Sequence, residues 1–138
     1  MAVSVARFYR SSNHWTQCAL ASAELHQAAC CSSATPCNRP WYLDRALDRV
    51  GHADGPLVAR ALSFAELTAE LSSGEPVAVR IGWRGGGGHF VVVEGYSTED
   101  EQVDIEDPNE GPSQLSYATL CADYGGAGAW THSYRTRR

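Results

Sequence analysis

The sequence predicts an α+β domain, helices first and an antiparallel sheet afterwards, and three observations carry that reading. Apolar residues recur at helical spacing as far as Leu71. Beyond Glu75 they alternate with polar residues or gather into a valine-rich run, as strands require. The length, 138 residues, suits one domain, here a helical lobe over 1–71 and a sheet lobe over 75–138. With 43% hydrophobic and 20% charged residues the composition is that of a packed soluble domain, which excludes disordered, collagen-like and coiled-coil classes. All eleven basic residues are arginine, and sixteen acids leave a formal charge of -5, which argues against nucleic acid as a partner. No apolar run approaches the roughly 20 residues that cross a bilayer, so no membrane partner is expected.

Val5, Phe8 and Tyr9 place the stretch from Met1 to Arg10 in a helix that Ser11, Ser12 and Asn13 break. Thr16 can cap a second helix over Gln17 to Ala29, and the loop from Cys30 to Pro40 carries three of the cysteines. Trp41 to Val50 reads as a third helix, ended by Gly51. Ser63 and Glu66 form a capping box for a fourth that runs to Leu71. Pro76 to Trp83 and His89 to Tyr96 are expected to be neighbouring strands joined by the glycines of 85–88. Gln102 to Glu106 is a third strand, and Asp107, Pro108, Asn109, Gly111 and Pro112 signal a turn. Leu115 to Tyr124 reads as a short helix, with a last strand around Trp130 and Tyr134.

This layout brings chemistry-bearing residues together. His89 opens an apolar strand after the glycine run, and Asp107 ends the next strand, so the two can meet across an antiparallel pair. Asp107 or Asn109 would then accept from one ring nitrogen and leave the other as a base. A structural histidine satisfied by a turn carboxylate is the plainer alternative. Trp83, beside the glycine run, reads as a groove residue and joins Gly88 and Asn109 as candidate substrate-binding positions. The other tryptophans read as buried area, and His14, His26, His52 and His132 as surface or satisfied residues. The glycine run is not a phosphate cradle, because no Lys-Ser or Lys-Thr and no helix come after it. No cofactor is expected.

Four of the five cysteines, Cys18, Cys30, Cys31 and Cys37, fall within twenty residues. Cys18 stands in the first turn of the second helix, where the helix dipole favours a thiolate, so it is one candidate nucleophile. Cross-linking to a cysteine of the Cys30 to Cys37 loop is the second reading. Zinc held by His14 and these cysteines is a third, but paired CxxC knuckles are absent and no metal site is expected.

The segments Trp15-Thr16-Gln17-Cys18, Cys30-Cys31 and Cys37-Asn38-Arg39-Pro40-Trp41-Tyr42-Leu43 carry a resemblance when taken with Gly85 to Val93, Gly95-Tyr96, Asp107-Pro108 and Gly111. Together they resemble bacterial papain-like cysteine peptidases of the C39-like and AvrRpt2-like group over nearly the whole chain. The resemblance implies a papain-like fold, with His89 as the catalytic histidine and Asp107 as its orienting acid. It also implies attack on a peptide carbonyl by a cysteine thiolate, through an acyl-enzyme. That thiolate belongs to a Trp-Cys-Trp-Ala-Ala-like segment, preceded by a glutamine that donates to the oxyanion. Met1 to Tyr9 matches only the part of the family's helix C-terminal to that segment. The family's Thr-Gln-Cys position lies outside the catalytic set, which favours a disulfide at Cys18.

Four functions are therefore expected of the chain. It is a peptidase once the nucleophile segment is restored, a pseudo-enzyme that binds a peptide or partner, a proton-transfer enzyme that uses His89 and Asp107 on a small molecule, or a Cys18-dependent enzyme. The expected ligand, a peptide or small molecule, lies in a cleft between the lobes, and the exposed groove is expected either to leave the fold marginally stable or to be covered by a partner, a second copy of the chain being one candidate. The compartment is cytoplasmic for the chain as it stands, or extracellular if a leader precedes it.

Overall fold

The computed structural model describes residues 1–138, which divide into two compact units, 2–53 with Arg138 and 54–137 with Met1. The first unit contains α1 (Ala2–Tyr9), α2 (Gln17–Leu25), two 3-10 turns (Ala28–Cys31 and Thr35–Cys37) and α3 (Leu43–Val50). Thr16 caps α2 as the sequence predicts, its hydroxyl accepting from the Ala19 N–H at 3.1 Å. The helix ends four residues short of the expected Ala29, at a left-handed His26. The reason is covalent. Cys18 and Cys31 are bonded with their Cα atoms 4.9 Å apart and a sequence separation of 13. A helix continued over that separation would hold them roughly 20 Å apart.

A second disulfide, Cys30 to Cys37, folds the loop onto itself. α3 begins at Leu43 rather than Trp41, with Tyr42 extended, and the Trp41 indole N–H donates to buried Glu24 at 2.7 Å. Arg49 from α3 meets the other oxygen of the same carboxylate. Gly51 ends α3 with φ 84°, a conformation that favours glycine. The apolar interior of this unit draws on Val5, Leu20, Leu43, Leu47 and Val50.

The second unit begins with α4 (Phe64–Ser72), whose Ser63 and Glu66 make both halves of the expected capping box. Although the sequence groups this helix with the earlier ones, it packs against the sheet and belongs to residues 54–137. The sheet is antiparallel, in the order β4-β3-β2-β1-β5. Its strands are β1 (Val77–Trp83), β2 (Gly88–Ser97), β3 (Gln102–Asp107), β4 (Gly111–Ser116) and, after α5 (Tyr117–Ala122), β5 (Gly128–Tyr134). Val77, Val79, Ile81, Val91, Val93, Val103 and Ile105 turn one sheet face inward, where Leu62, Leu67, Leu120 and Trp130 complete the core. The β1–β2 hairpin uses Gly86 and Gly87 at φ 94° and 82°, so two of the four consecutive glycines are required by backbone conformation.

β4 corrects the sequence reading, which takes Gly111 and Pro112 as part of a turn and Leu115 as the start of a helix. Gly111 to Ser116 pair with β3 throughout. Pro112 is tolerated because β4 lies at the sheet edge, where a missing N–H interrupts no further ladder. The helix starts two residues later than expected, at Tyr117, because Ser116 caps it by accepting from the Thr119 N–H at 3.1 Å. The α+β class, with helices before an antiparallel sheet, is the one the sequence predicts.

Candidate active site

His89 and Asp107 meet because of strand register. Ile81 on β1 pairs with His89 on β2, and Val92 pairs with Glu106 on β3. Side chains of like parity then share a face, so His89 lies diagonally across the ladder from Asp107, a separation that long side chains can span. His89 Nε2 lies 2.9 Å from each carboxylate oxygen of Asp107. The histidine side chain is 15% exposed and the aspartate 2%.

Asp107 is held from every side. Its Oδ1 accepts the backbone N–H groups of Asn109 at 2.7 Å and Glu110 at 3.2 Å, as a turn carboxylate does when it caps the next residues along the chain. Its Oδ2 accepts the Tyr124 hydroxyl at 2.6 Å. Burial alone would raise this carboxyl, but hydrogen bonds from Tyr124, the Asn109 N–H, His89 and the Glu110 N–H outweigh it and hold the group at about 2. Asp107 is therefore an anion that accepts hydrogen bonds and does not take up a proton near neutrality. Burial, reinforced by that carboxylate, drives the Tyr124 phenol well above its ordinary range, so it remains a donor. Facing an anion, Nε2 of His89 carries the proton, and Nδ1, engaged by no hydrogen bond, is the nitrogen left for exchange with a reacting group.

Trp83, at the end of β1, stacks on the His89 ring with centroids 6.1 Å apart and planes 20° from parallel. It also lies against Tyr124, at 6.3 Å between centroids. Its position depends on Gly128, where a Cβ would come within 2.7 Å of the indole. Gly88 lies beneath a side chain from the neighbouring strand. Arg80 lays its guanidinium across it, and a Cβ there would stand 2.8 Å from that group. Arg80 also donates to the Gly87 carbonyl at 3.2 Å and to Thr131 at 2.9 Å. Asn109 contributes its backbone N–H to Asp107, while Asp107 itself, rather than Asn109, accepts from the imidazole.

The cysteines lie elsewhere in the chain. Cys18 is bonded to Cys31, so the reading of Cys18 as a nucleophile is corrected: its sulfur is neither a thiol nor a thiolate. With Cys30 bonded to Cys37, the same pairing withdraws all four sulfurs from a zinc site. Cys121, on α5, is the free cysteine, and burial pushes its thiol up, away from the reactive thiolate.

Tyr124 is the site residue that sequence reasoning misses. It reads as the last residue of a helix, yet the helix stops at Ala122 and Tyr124 stands in the turn beyond it. The one signal is its place immediately before Gly125-Gly126, a helix-stopping pair that puts the preceding aromatic in a turn.

Residues 5–136 match the model of the Peptidase C39 like family. The chain belongs to that family. No curated protein matches it. Among solved structures it is similar to the Pseudomonas avirulence protein AvrPphB, at a TM-score of 0.39 and 15% identity, covering 99% of this chain and 72% of that one. That likeness is too distant to carry residue roles. In this C39-like peptidase-family domain the strands bring His89 and Asp107 into the bonded pair, and the turns on either side supply Asn109, Glu110 and Tyr124.

Proposed function

We propose that the domain supplies the acid–base half of a cysteine-peptidase site that hydrolyses peptide bonds, with His89 as proton carrier and Asp107 as its orienting anion. The observation that supports this most is the Nε2 contact to both Asp107 oxygens, which leaves Nδ1 without a partner. The cysteine thiol first gives its proton to Nδ1; the thiolate so formed attacks the peptide carbonyl carbon, a C–S bond forms, and the C–N bond breaks as Nδ1–H returns that proton to the departing amine. Water then attacks the thioester, giving a proton to Nδ1 and releasing the acid and the thiolate. The family resemblance assigns that thiolate to a Trp-Cys-Trp-Ala-Ala-like segment. Trp83 stacks on the imidazole and Asn109 is held in the turn after Asp107, and these two are the residues proposed to meet a bound peptide.

A second reading rests on the sulfur inventory. Within residues 1–138 four cysteines are paired and the fifth is held as a thiol, so these residues alone suit a peptide-binding module without turnover. One experiment separates the two. A fluorogenic peptide library is offered to the 138-residue chain and to the same chain carrying the family's nucleophile segment. The extended chain is expected to cleave peptides and to lose turnover on His89→Ala, while the 138-residue chain binds without cleaving. A folded extended chain that cleaves nothing, or cleavage that survives His89→Ala, overturns the peptidase reading. Binding by neither chain removes the module.

A further inference from the structure

The turn after α5 touches the His89–Asp107 pair from two directions. Its Tyr124 hydroxyl donates to Asp107 Oδ2 at 2.6 Å, and both residues are buried. Its Gly128 makes room for the Trp83 indole, which stacks on His89. Reciprocal backbone hydrogen bonds of 2.8 Å between Tyr124 and Gly128 close the turn and fix the phenol and the glycine relative to each other.

The acceptor atom singles this phenol out. Oδ1 of Asp107 already has two backbone N–H donors, whereas Oδ2 has only Tyr124 and its share of His89 Nε2. A carboxylate oxygen so buried and short of a donor is costly, and it gains by drawing in another proton or by turning away from the imidazole. We propose that Tyr124 is a positioning residue of the site: by occupying Oδ2 it keeps Asp107 in place as the acceptor for Nε2–H, and so reserves Nδ1 for the reacting group. This assignment rests on the reading of His89 as proton carrier and adds what holds its tautomer.

A purely structural tyrosine would tie the turn to β3 and leave the imidazole unaffected. The distinguishing experiment is NMR on the whole chain, reading the ring nitrogens of His89 for tautomer and the side-chain carbon of Asp107 for titration. In the wild type, neutral His89 is expected in the Nε2–H form. In Tyr124→Phe, the Nδ1–H share rises several-fold and Asp107 titrates at higher pH. Incorporated 3-fluorotyrosine, a more acidic donor of nearly the same shape, shifts both readouts the other way and serves if Tyr124→Phe fails to fold. A folded Tyr124→Phe chain with unchanged tautomer and titration overturns the proposal, as does fluorotyrosine protein indistinguishable from wild type in both. Neither readout needs turnover, so an inactive peptidase and an idle Tyr124 give separable results.

Discussion

The two units of this chain are held by different means. Residues 54–137 close an antiparallel sheet over a continuous core in which Leu62, Leu67, Val77, Val79, Ile81, Val91, Val93 and Val103 have no exposed surface. Residues 2–53 have short helices, a polar contact at Glu24 and a stretch from Ala28 to Pro40 in which the regular structure is two 3-10 turns. Cys30 is the one buried residue of that stretch. Two disulfides do there what apolar burial does in the sheet, limiting the unfolded chain where the folded one has little core to offer. The site obeys the same division: a carboxylate with several hydrogen bonds can be held rigidly only where register and packing fix every donor, and His89, Asp107 and Tyr124 all lie in the sheet unit.

The sharpest way to break this comparison is to remove both cross-links by replacing Cys18, Cys30, Cys31 and Cys37 with serine. Loop-closure arguments put the joint cost at about 5 kcal/mol. Hydrogen exchange should show protection lost over 17–50 and kept in β1, β2 and β3; equal loss in both would show that the units do not differ as described. Next in size is Leu67→Ala, which empties a fully buried site in the sheet core and should cost about 3 kcal/mol by urea denaturation. A cost below about 1 kcal/mol would mean that this core is not the main support of its unit.

Acid should weaken the sheet unit through Asp107. Asp107 is depressed from 3.8 to about 2 in the folded chain. Its contribution is therefore complete above the unfolded value and disappears as pH falls from about 4 through 2, amounting to roughly 2 kcal/mol. Urea midpoints of wild type and Asp107→Asn should converge over that interval, and parallel curves would refute the assignment. The smallest effect is expected from Ser63→Ala, which removes the α4 cap accepting from the Glu66 N–H at 3.2 Å and should cost about 1 kcal/mol in thermal or urea unfolding. No change would show that Glu66, paired with Arg60 at 2.7 Å, holds that helix end without the serine.

Local signals locate most elements. Helical spacing, the Ser63–Glu66 box, Gly51 and strand alternation act within a few residues, so they can be read without knowing the partners. The failures are nonlocal. β4 is hidden because Gly111-Pro112 has the composition of a turn, and only its place at the edge makes proline acceptable. The early end of α2 is hidden because nothing between Gln17 and Ala29 forbids helix; the Cys18–Cys31 bond does. His89 and Asp107 are legible as a pair because adjacent antiparallel strands bring such positions together.

By itself the sequence determined the α+β order, the strand carrying His89, the strand that Asp107 ends and the crowding of four cysteines, since propensity, capping and alternation are written in neighbouring residues. The tertiary structure alone decided which sulfurs join, which ring nitrogen faces the carboxylate, that Trp83 stacks on the imidazole and that Tyr124 donates to Asp107. Those outcomes depend on distances between residues far apart in the chain, which exist only once register and packing have placed them.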